Sequence, residues 1–168
     1  MKVHNIWGAN RFPTHTKIRE ASRGIVLDGE RILLTYEVNT DQWFIPGGGL
    51  EGDESLAACC ARELAEETGK KVSVGKEFLT LYEYYNEWKF ESHYFVCTIE
   101  GNAQRRLTER EIQAGLEPRW VDLFDALDIF SRHLEYKNVN EMKRGAYLRE
   151  HQAMQAFFEF FAEGNEVE

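Results

Sequence analysis

The alternation of hydrophobic and polar residues predicts two groups of strands, separated by one central helix and followed by two more helices. Apolar, aromatic and β-branched residues predict strands at 21–27, 31–36, 42–45, 78–85, 92–99 and 119–123. Asp28-Gly29 predicts a tight hairpin between the first two strands. Pro46 ends the third strand, after which 47–49 predict a glycine loop, and a turn is expected at 86–89.

Residues with a period near 3.6 predict helices at 55–68, 125–133 and 140–162. Asp53 or Ser55 is suited to cap the first helix, and Gly69 stands where a left-handed residue would end it. This order of elements is typical of an α/β sandwich, in which a mixed β-sheet lies between α-helices. No repeat or proline-rich linker divides the 168 residues, so we expect one domain over 1–168.

The central helix has a face of small residues and an acidic face when 55–68 is placed on a helical wheel. The small face is expected to pack closely on a sheet and contains Ala57, Ala58, Ala61, Leu64, Ala65 and Thr68. Glu63, Glu66 and Glu67 lie on the opposite face, which should point into a cleft or into solvent. Like charges at these spacings cost about 0.2–0.5 kcal/mol per pair. A solvated surface is the common explanation of such a face, and a bound divalent cation is the alternative.

Composition is that of an ordinary globular protein, with 43% hydrophobic and 29% charged residues. No apolar run approaches the roughly 20 residues that cross a membrane, and the first residues do not resemble a signal peptide. We therefore expect a cytoplasmic protein without a membrane partner. Cys59, Cys60 and Cys97 have no CxxC spacing, which favours buried thiols over disulfides or a zinc site.

The net charge of −9 argues against a nucleic-acid partner. Charge is nevertheless uneven, because residues 1–23 carry five basic side chains and one acidic side chain and the remainder therefore carries −13. The segment 1–20 is expected to be an N-terminal arm or strand. Its basic residues either contact substrate phosphates or are simply solvated.

The segment 48–70 resembles the Nudix box of the MutT-like Nudix hydrolase superfamily. In that motif a glycine is followed after five residues by a glutamate, and after seven more by Arg-Glu-apolar-x-Glu-Glu-x-Gly-apolar. The matching positions are Gly48, Glu54, Arg62, Glu63, Leu64, Glu66, Glu67 and Gly69. The segments 43–47 and 117–121 also resemble family sequence. Lys70 departs from the motif, since its last position is normally aliphatic, and Val72 is expected to take over that packing.

The resemblance implies the Nudix fold and a metal-dependent hydrolase that cleaves a diphosphate linkage in a nucleoside diphosphate derivative or nucleoside triphosphate. It implies Mg²⁺ or Mn²⁺ bound by Glu63, Glu66, Glu67 and the Gly47 carbonyl. It also implies that Arg62 and Glu54 form an ion pair between the loop and the helix. Several carboxylates are candidates for the general base, namely Glu63 or Glu66 on the helix, or Glu109 or Glu111 on a later loop.

Substrate contacts are expected from Gly48 and Gly49 of the box and from aromatic side chains that can stack on a base. The aromatic candidates are Trp43, Tyr82 and Tyr84, for which burial in the core is the competing interpretation. His93 has no evident partner in the sequence and is interpreted as structural.

The substrate itself stays open. Tyr85 occupies the position where ADP-ribose hydrolases of the family often have proline and dinucleoside polyphosphate hydrolases often have tyrosine nearby.

Two further questions remain open from the sequence. Phe157, Phe158, Phe160 and Phe161 surround too much of the last helix for one buried stripe, with Phe160 off the main face. The helix is therefore either deeply buried or part of a homodimer. The alternative function is a non-catalytic Nudix-fold module that senses a nucleotide, although such modules usually lose box glutamates. A prenyl diphosphate isomerase is disfavoured, because no cysteine here has the context that chemistry requires.

Overall fold

The computed structural model describes residues 1–8 and 14–164, in which eight strands and four α-helices form an α/β sandwich. The strands are β1 (Lys2–Trp7), β2 (Lys17–Asp28), β3 (Arg31–Glu37), β4 (Gln42–Phe44), β5 (Gly47–Gly49), β6 (Lys70–Tyr85), β7 (Trp88–Asn102) and β8 (Leu116–Asp122). The helices are α1 (Leu56–Thr68), α2 (Glu109–Ala114), α3 (Leu123–Ser131) and α4 (Glu141–Ala162), with a short 3-10 helix at Arg132–Tyr136.

The long strand β2 joins all parts of the sheet, whose order is β1-β6-β7-β2-β3-β4. It pairs in parallel with β7 from Lys17 to Val26, and only Leu27 and Asp28 pair with β3. The short strand β5 adds to β2, and β8 adds to β3. Gly29 makes the tight hairpin with φ of 61°, as the sequence indicates.

Two hydrophobic cores lie on opposite faces of the sheet, because neighbouring residues of a strand point in opposite directions. Ile25 belongs to the core beneath α3 and α4, whereas Val26 belongs to the core beneath α1. Val96 and Cys97 of β7 divide in the same way. The predicted sandwich of helices around a mixed sheet is therefore confirmed.

Helix α1 has the predicted ends but not the predicted buried face. Ser55 caps its start by accepting a hydrogen bond from the Ala58 amide at 3.2 Å, and Gly69 ends it with φ of 71°. Ala57 and Ala58 are exposed, and the buried residues are Cys59, Cys60, Leu64, Glu67 and Thr68. The small residue that allows close packing of α1 on the sheet is Gly24 of β2, and not an alanine of the helix. A Cβ at Gly24 would lie only 2.9 Å from the Leu64 side chain.

The glycine segment is a strand and not the predicted loop. Gly47, Gly48 and Gly49 pair antiparallel with residues 21–23 of β2. A Cβ on Gly47 would lie 2.2 Å from the Ser22 carbonyl oxygen, and Gly47 has φ of 147°. Glycine is needed here because the chain passes too close to β2 for any side chain, a tertiary requirement that the local sequence does not reveal.

Other boundaries also differ from the sequence prediction. The segment that contains Glu109 and Glu111 forms the first turn of α2, where a loop was expected. The turn between β6 and β7 contains only Asn86 and Glu87, because strand pairing with β6 extends to Trp88. Helix α3 begins at Leu123 and ends at Ser131, where the chain tightens into the 3-10 helix.

Helix α4 is rotated relative to the predicted stripe. Phe160 is buried and its ring centroid lies 5.7 Å from that of Phe78, whereas Phe161 is 52% exposed and Met142 is largely exposed. Phe157 and Phe160 therefore face inward, whereas the homodimer stays a prediction. No helix of the described residues is both long and apolar enough to span a membrane.

The cysteines are buried free thiols, which confirms their prediction as small core residues. Cys60 and Cys97 contact each other between α1 and β7, with 3.7 Å between their sulfur atoms. Lys70 extends to Asn102, while Val72 is buried in the core beneath α1. Val72 therefore provides the packing that the departure at Lys70 removes.

Truncation of Phe157 tests the orientation of α4. Phe157→Ala should lower the free energy of unfolding by about 3–5 kcal/mol, because this fully buried ring leaves a cavity. Phe161→Ala is the matched control on the same helix and should change the stability by less than about 0.5 kcal/mol. Urea denaturation measures both, and equal effects would contradict the described orientation.

Candidate functional site

A wide cleft of about 1770 Å³ opens between the glycine strand β5, the helix α1 and the helices α2 and α4. Glu63, Glu66 and Glu67 line it from α1, and all three glycines of β5 line it beside them. The predicted acidic face therefore does point into a cleft. What the sequence did not indicate is how deeply part of that face is buried.

The Glu67 carboxylate lies at the base of the cleft, with only 7% of the residue exposed. Its Oε2 accepts a hydrogen bond from the Gly47 amide at 2.9 Å. Burial raises the pKa of Glu67 to about 8, against the lowering effect of that hydrogen bond. The amide of Gly47 is thus the group that faces this carboxylate, and the Gly47 carbonyl as a metal ligand stays a prediction.

Glu63 lies beside Glu67 and against the glycine backbone. A Cβ at Gly48 would lie only 2.5 Å from the Glu63 carboxylate, so glycine leaves the space in which this carboxylate sits. Burial raises the pKa of Glu63 as well, and the neighbouring Arg62 opposes that rise. Two adjacent desolvated carboxylates are electrostatically unfavourable without a cation.

The donor set fits a hard divalent cation. Glu63, Glu66 and Glu67 offer carboxylate oxygens from one helix, with no sulfur or imidazole ligand among them. Mg²⁺ is commonly bound by one or two carboxylates together with substrate phosphates, and Mn²⁺ accepts similar ligands. The space left by Gly48 and the raised pKa values of Glu63 and Glu67 agree with such an ion.

Arg62 ties the loop before α1 to the acidic face. Its guanidinium donates to both Glu54 oxygens, at 2.6 and 3.1 Å, and to the Gly49 carbonyl at 3.0 Å. It also donates to Glu63 at 2.8 Å. The expected Arg62–Glu54 pair is therefore present in the structure, and Arg62 lowers the pKa of Glu54 to about 2.

A buried network on the other side of β5 supports the glycine strand, and sequence reasoning missed it. Arg23 donates to the Ile45 carbonyl at 3.1 Å and lies 3.8 Å from the fully buried Glu150 of α4. Arg149 pairs with Glu150 at 2.6 Å and with Glu83 of β6 at 3.5 Å. The sequence feature that could have revealed this network is the pair of charged residues Arg149 and Glu150 at inward-facing positions of α4.

The aromatic substrate candidates do not line the cleft in the described residues. Tyr84 stacks on Trp7 with 4.5 Å between centroids, Tyr82 lies beneath Lys89, and Trp43 packs on Tyr36. Strand alternation places Glu83 and Tyr85 of β6 in the cleft lining instead. Gly48 and Gly49, the remaining substrate candidates, do line it.

The two candidate bases on α2 are separated by the helix. Glu111 lines the cleft close enough to raise the pKa values of Glu63 and Glu67, whereas Glu109 is exposed outside the cleft lining. Glu111 Oε2 also accepts a hydrogen bond from the Thr108 amide at 2.8 Å. The helix therefore fixes Glu111 in place.

The basic N-terminal segment reaches the cleft only in part. Arg19 and Arg23 line it, and Arg19 lies beside Gly49. Lys17 pairs with Glu87. Arg11 lies outside the described residues.

Comparison with known proteins identifies the family. The model of the NUDIX domain matches residues 18–142, which include β5, α1 and α2. The chain belongs to the NUDIX domain family. As a NUDIX domain it shares its fold with a NUDIX hydrolase from Nitrosomonas europaea, at a TM-score of 0.62 and 18% identity over 86% of this chain and 89% of that one. It also resembles the E. coli ORF135 protein, at a TM-score of 0.58 and 20% identity over 88% and 93% of the two chains.

Among curated relatives, diphosphoinositol polyphosphate phosphohydrolase 2 of Rattus norvegicus is 28% identical over 106 residues. That match covers 63% of this chain and 57% of the relative. Diphosphoinositol polyphosphate phosphohydrolase 3-alpha of Mus musculus is 27% identical over 106 residues, which cover 63% of each chain. The match thus spans about three fifths of the length of these relatives.

Removal of the Glu54 charge tests the clamp made by Arg62. Glu54→Gln should destabilise the protein by about 1.5–3 kcal/mol at pH 7, since it removes charge-assisted hydrogen bonds. Because the folded pKa is depressed to about 2, the contribution is complete above the unfolded value of about 4.3 and is lost as the pH falls towards 2. Urea denaturation across this range measures the difference between variant and wild type.

Glu51→Gln is the matched control, because Glu51 is exposed and lies 3.8 Å from the same guanidinium. It should change the stability by less than about 0.5 kcal/mol at any pH. A Glu54→Gln effect that persists unchanged at pH 2 would contradict the ion-pair explanation.

Proposed function

We propose that this NUDIX domain is a divalent-metal-dependent hydrolase that cleaves a diphosphate linkage in a nucleoside diphosphate derivative or nucleoside triphosphate. One observation carries the proposal. The partly buried Glu63 and the buried Glu67 lie side by side against the glycine strand, in a cleft large enough for a nucleotide. The family match and the names of the relatives support the same reaction class.

Glu63, Glu66 and Glu67 would hold Mg²⁺ or Mn²⁺, which when bound neutralises diphosphate charge and lowers the pKa of the attacking water. Arg62 keeps the carboxylates in position through its contacts with Glu63 and the Gly49 carbonyl. Glu111 lines the same cleft from α2, and in this proposal it would accept the proton of the water. The hydrolysis then breaks a phosphorus–oxygen bond and releases a phosphate or a nucleotide.

The cleft lining carries charges of both signs. Six arginines line it, and within the described residues all but Arg19 are paired with glutamates: Arg19, Arg23, Arg62, Arg110, Arg144 and Arg149. Nine glutamates line it as well, so a substrate with several phosphates would bind there together with a divalent cation that offsets the negative charge. Diphosphoinositol polyphosphates, in view of the relatives, should be screened beside nucleotides, ADP-ribose and dinucleoside polyphosphates, with Mg²⁺ and Mn²⁺.

Substitution of Glu67 tests the metal-dependent reaction. Glu67→Gln should lower kcat by at least about 10²-fold, because a charged ligand is lost while the carboxamide still accepts the Gly47 hydrogen bond. Phosphate release measures turnover, and circular dichroism verifies the fold. Glu100→Gln, an exposed change on β7, is the control and should retain wild-type turnover. Unchanged turnover in Glu67→Gln would overturn the assignment.

A matched pair on α2 tests the proton acceptor. Glu111→Gln should lower kcat by about 10²–10⁴-fold, because the base is lost. Glu109→Gln, two residues earlier on the same helix and outside the cleft lining, should leave kcat within about twofold of wild type. If Glu111→Gln leaves kcat as little changed as Glu109→Gln does, the base is Glu63 or Glu66 instead.

The sensor module is the competing function. Thermal stabilisation by a nucleotide, without turnover of any compound in the screen, would favour it over the hydrolase. Retention of all three box glutamates supports the hydrolase, since binding alone does not require them.

A further inference from the structure

A second group of side chains that could hold a metal ion lies on β2 and β7, and one of its members, Glu20, also lines the cleft. Glu20 of β2 is directly opposite Glu91 of β7, and His93 follows two residues later on the same face. Phe90 and Ser92, which alternate with them, line the cleft. Glu91 and His93 therefore point to the other face of the sheet. One ligand atom from each of Glu20, Glu91 and His93 lies within 4.8 Å of the others.

The orientation of the His93 ring is fixed by a fourth residue. Glu77 Oε1 lies 2.9 Å from His93 Nδ1 and also accepts a hydrogen bond from Thr80 at 2.8 Å. An irregularity of the β6–β7 pairing between Glu77 and Leu79 accompanies this contact. Because an ionised carboxylate only accepts hydrogen bonds, Nδ1 carries the proton. Nε2 is then the ring atom left to bind either a proton or a metal ion.

His93 is only 9% exposed, and its Nε2 atom is buried. Within the described residues this nitrogen nevertheless makes no hydrogen bond. The Glu20 carboxylate lies 3.2 Å from it, outside hydrogen-bond geometry. A bare nitrogen lone pair that faces a carboxylate oxygen at this distance is unfavourable, so either a proton or a metal ion belongs between the two atoms. A metal-binding histidine typically donates its other nitrogen to a carboxylate, and Glu77 provides that contact.

We propose that Glu20, Glu91 and His93 bind a divalent transition-metal ion, with Zn²⁺ as the preferred ion. Imidazole combined with carboxylates suits Zn²⁺, whereas Mg²⁺ prefers oxygen ligands alone. Zn²⁺ ligands at about 2.0–2.2 Å from the ion are roughly 3.3 Å apart in tetrahedral geometry, so the group must contract. Glu20 can move, because its side chain is 41% exposed.

Binding would join β2 to β7 next to the glycine strand. The Glu20 carbonyl accepts a hydrogen bond from the Leu50 amide at 3.1 Å, and Ala21 pairs with Gly49. The ion is therefore a structural element that braces the strand on which the candidate active site is built. This proposal does not rest on the proposed function, because the two sites share no ligand, although Glu20 also lines the cleft.

Lys89 competes with the ion and supplies a sharp test. Its ammonium group lies 2.6 Å from Glu91 Oε1, so metal binding must displace it or share the carboxylate. Lys89→Gln should therefore strengthen metal binding by about fivefold, the equivalent of losing one partly exposed ion pair. If the cluster binds no metal ion, Lys89→Gln should produce no such gain in metal binding.

The test is titration of the full-length protein with Co²⁺, followed by competition with Zn²⁺. Co²⁺ absorbs visible light strongly in a four-coordinate site that contains an imidazole and weakly in a six-coordinate oxygen site. The wild type should show the strong band and lose it on addition of Zn²⁺. Glu20→Gln, on a partly exposed side chain, and His93→Gln should each abolish it.

Three further variants separate the site from other metal ligands. Glu77→Gln should weaken Co²⁺ binding by about 10–100-fold through the orientation of His93. Glu66→Gln and His151→Gln are controls that should retain the strong band, since the first changes the box and the second a histidine of α4. Circular dichroism verifies that each variant is folded.

Absence of the strong band in the wild type would overturn the proposal, as would its retention in folded Glu20→Gln or His93→Gln. Weaker binding in Lys89→Gln would contradict the assignment of Glu91 as a ligand. The alternative explanation of the geometry is a protonated His93 imidazole held between Glu20 and Glu77. It predicts that the wild type shows no strong Co²⁺ band.

Discussion

The hydrogen bond from the Gly47 amide to the Glu67 carboxylate is the contact on which the cleft depends. It joins the glycine strand to α1 and sets the distance between them. Glu67 can occupy this buried position only because Gly47 approaches β2 without a side chain and Gly48 leaves room for Glu63. The pattern of glycines and glutamates is thus one packing arrangement, whose excess negative charge calls for a cation.

That contact is maintained from two directions. On the exposed side, Arg62 links Glu54, the Gly49 carbonyl and Glu63. On the interior side, Arg23 holds the segment just before β5 and is balanced by Glu150 of α4. Removing one partner of a buried ion pair typically costs about 3–5 kcal/mol, so α4 is bound to the site energetically as well as sterically.

Local signals predicted much of the fold and the acidic part of the site, because caps, hairpin glycines and spacing act over a few residues. Ser55, Gly69 and Gly29 behave as their sequence context indicates. Contacts between distant segments were not predictable. The helical wheel could not reveal that Glu67 turns inward. Likewise, the alternating pattern of β6 could not reveal that the cleft is lined by Tyr85 and not by Tyr84. His93 gained its carboxylate neighbours from other strands in the same way.

The dependence of Arg23 on Glu150 has a consequence for how the protein is made. During synthesis the box and the glycine strand leave the ribosome long before α4 does. Until then Arg23 lacks Glu150, although the earlier Glu67 and Glu83 also interact with its charge, and the inner face of β2 lacks the helix that covers it. The nascent chain therefore holds its acidic helix in an immature arrangement, and the cleft takes its final shape only when the last helix docks.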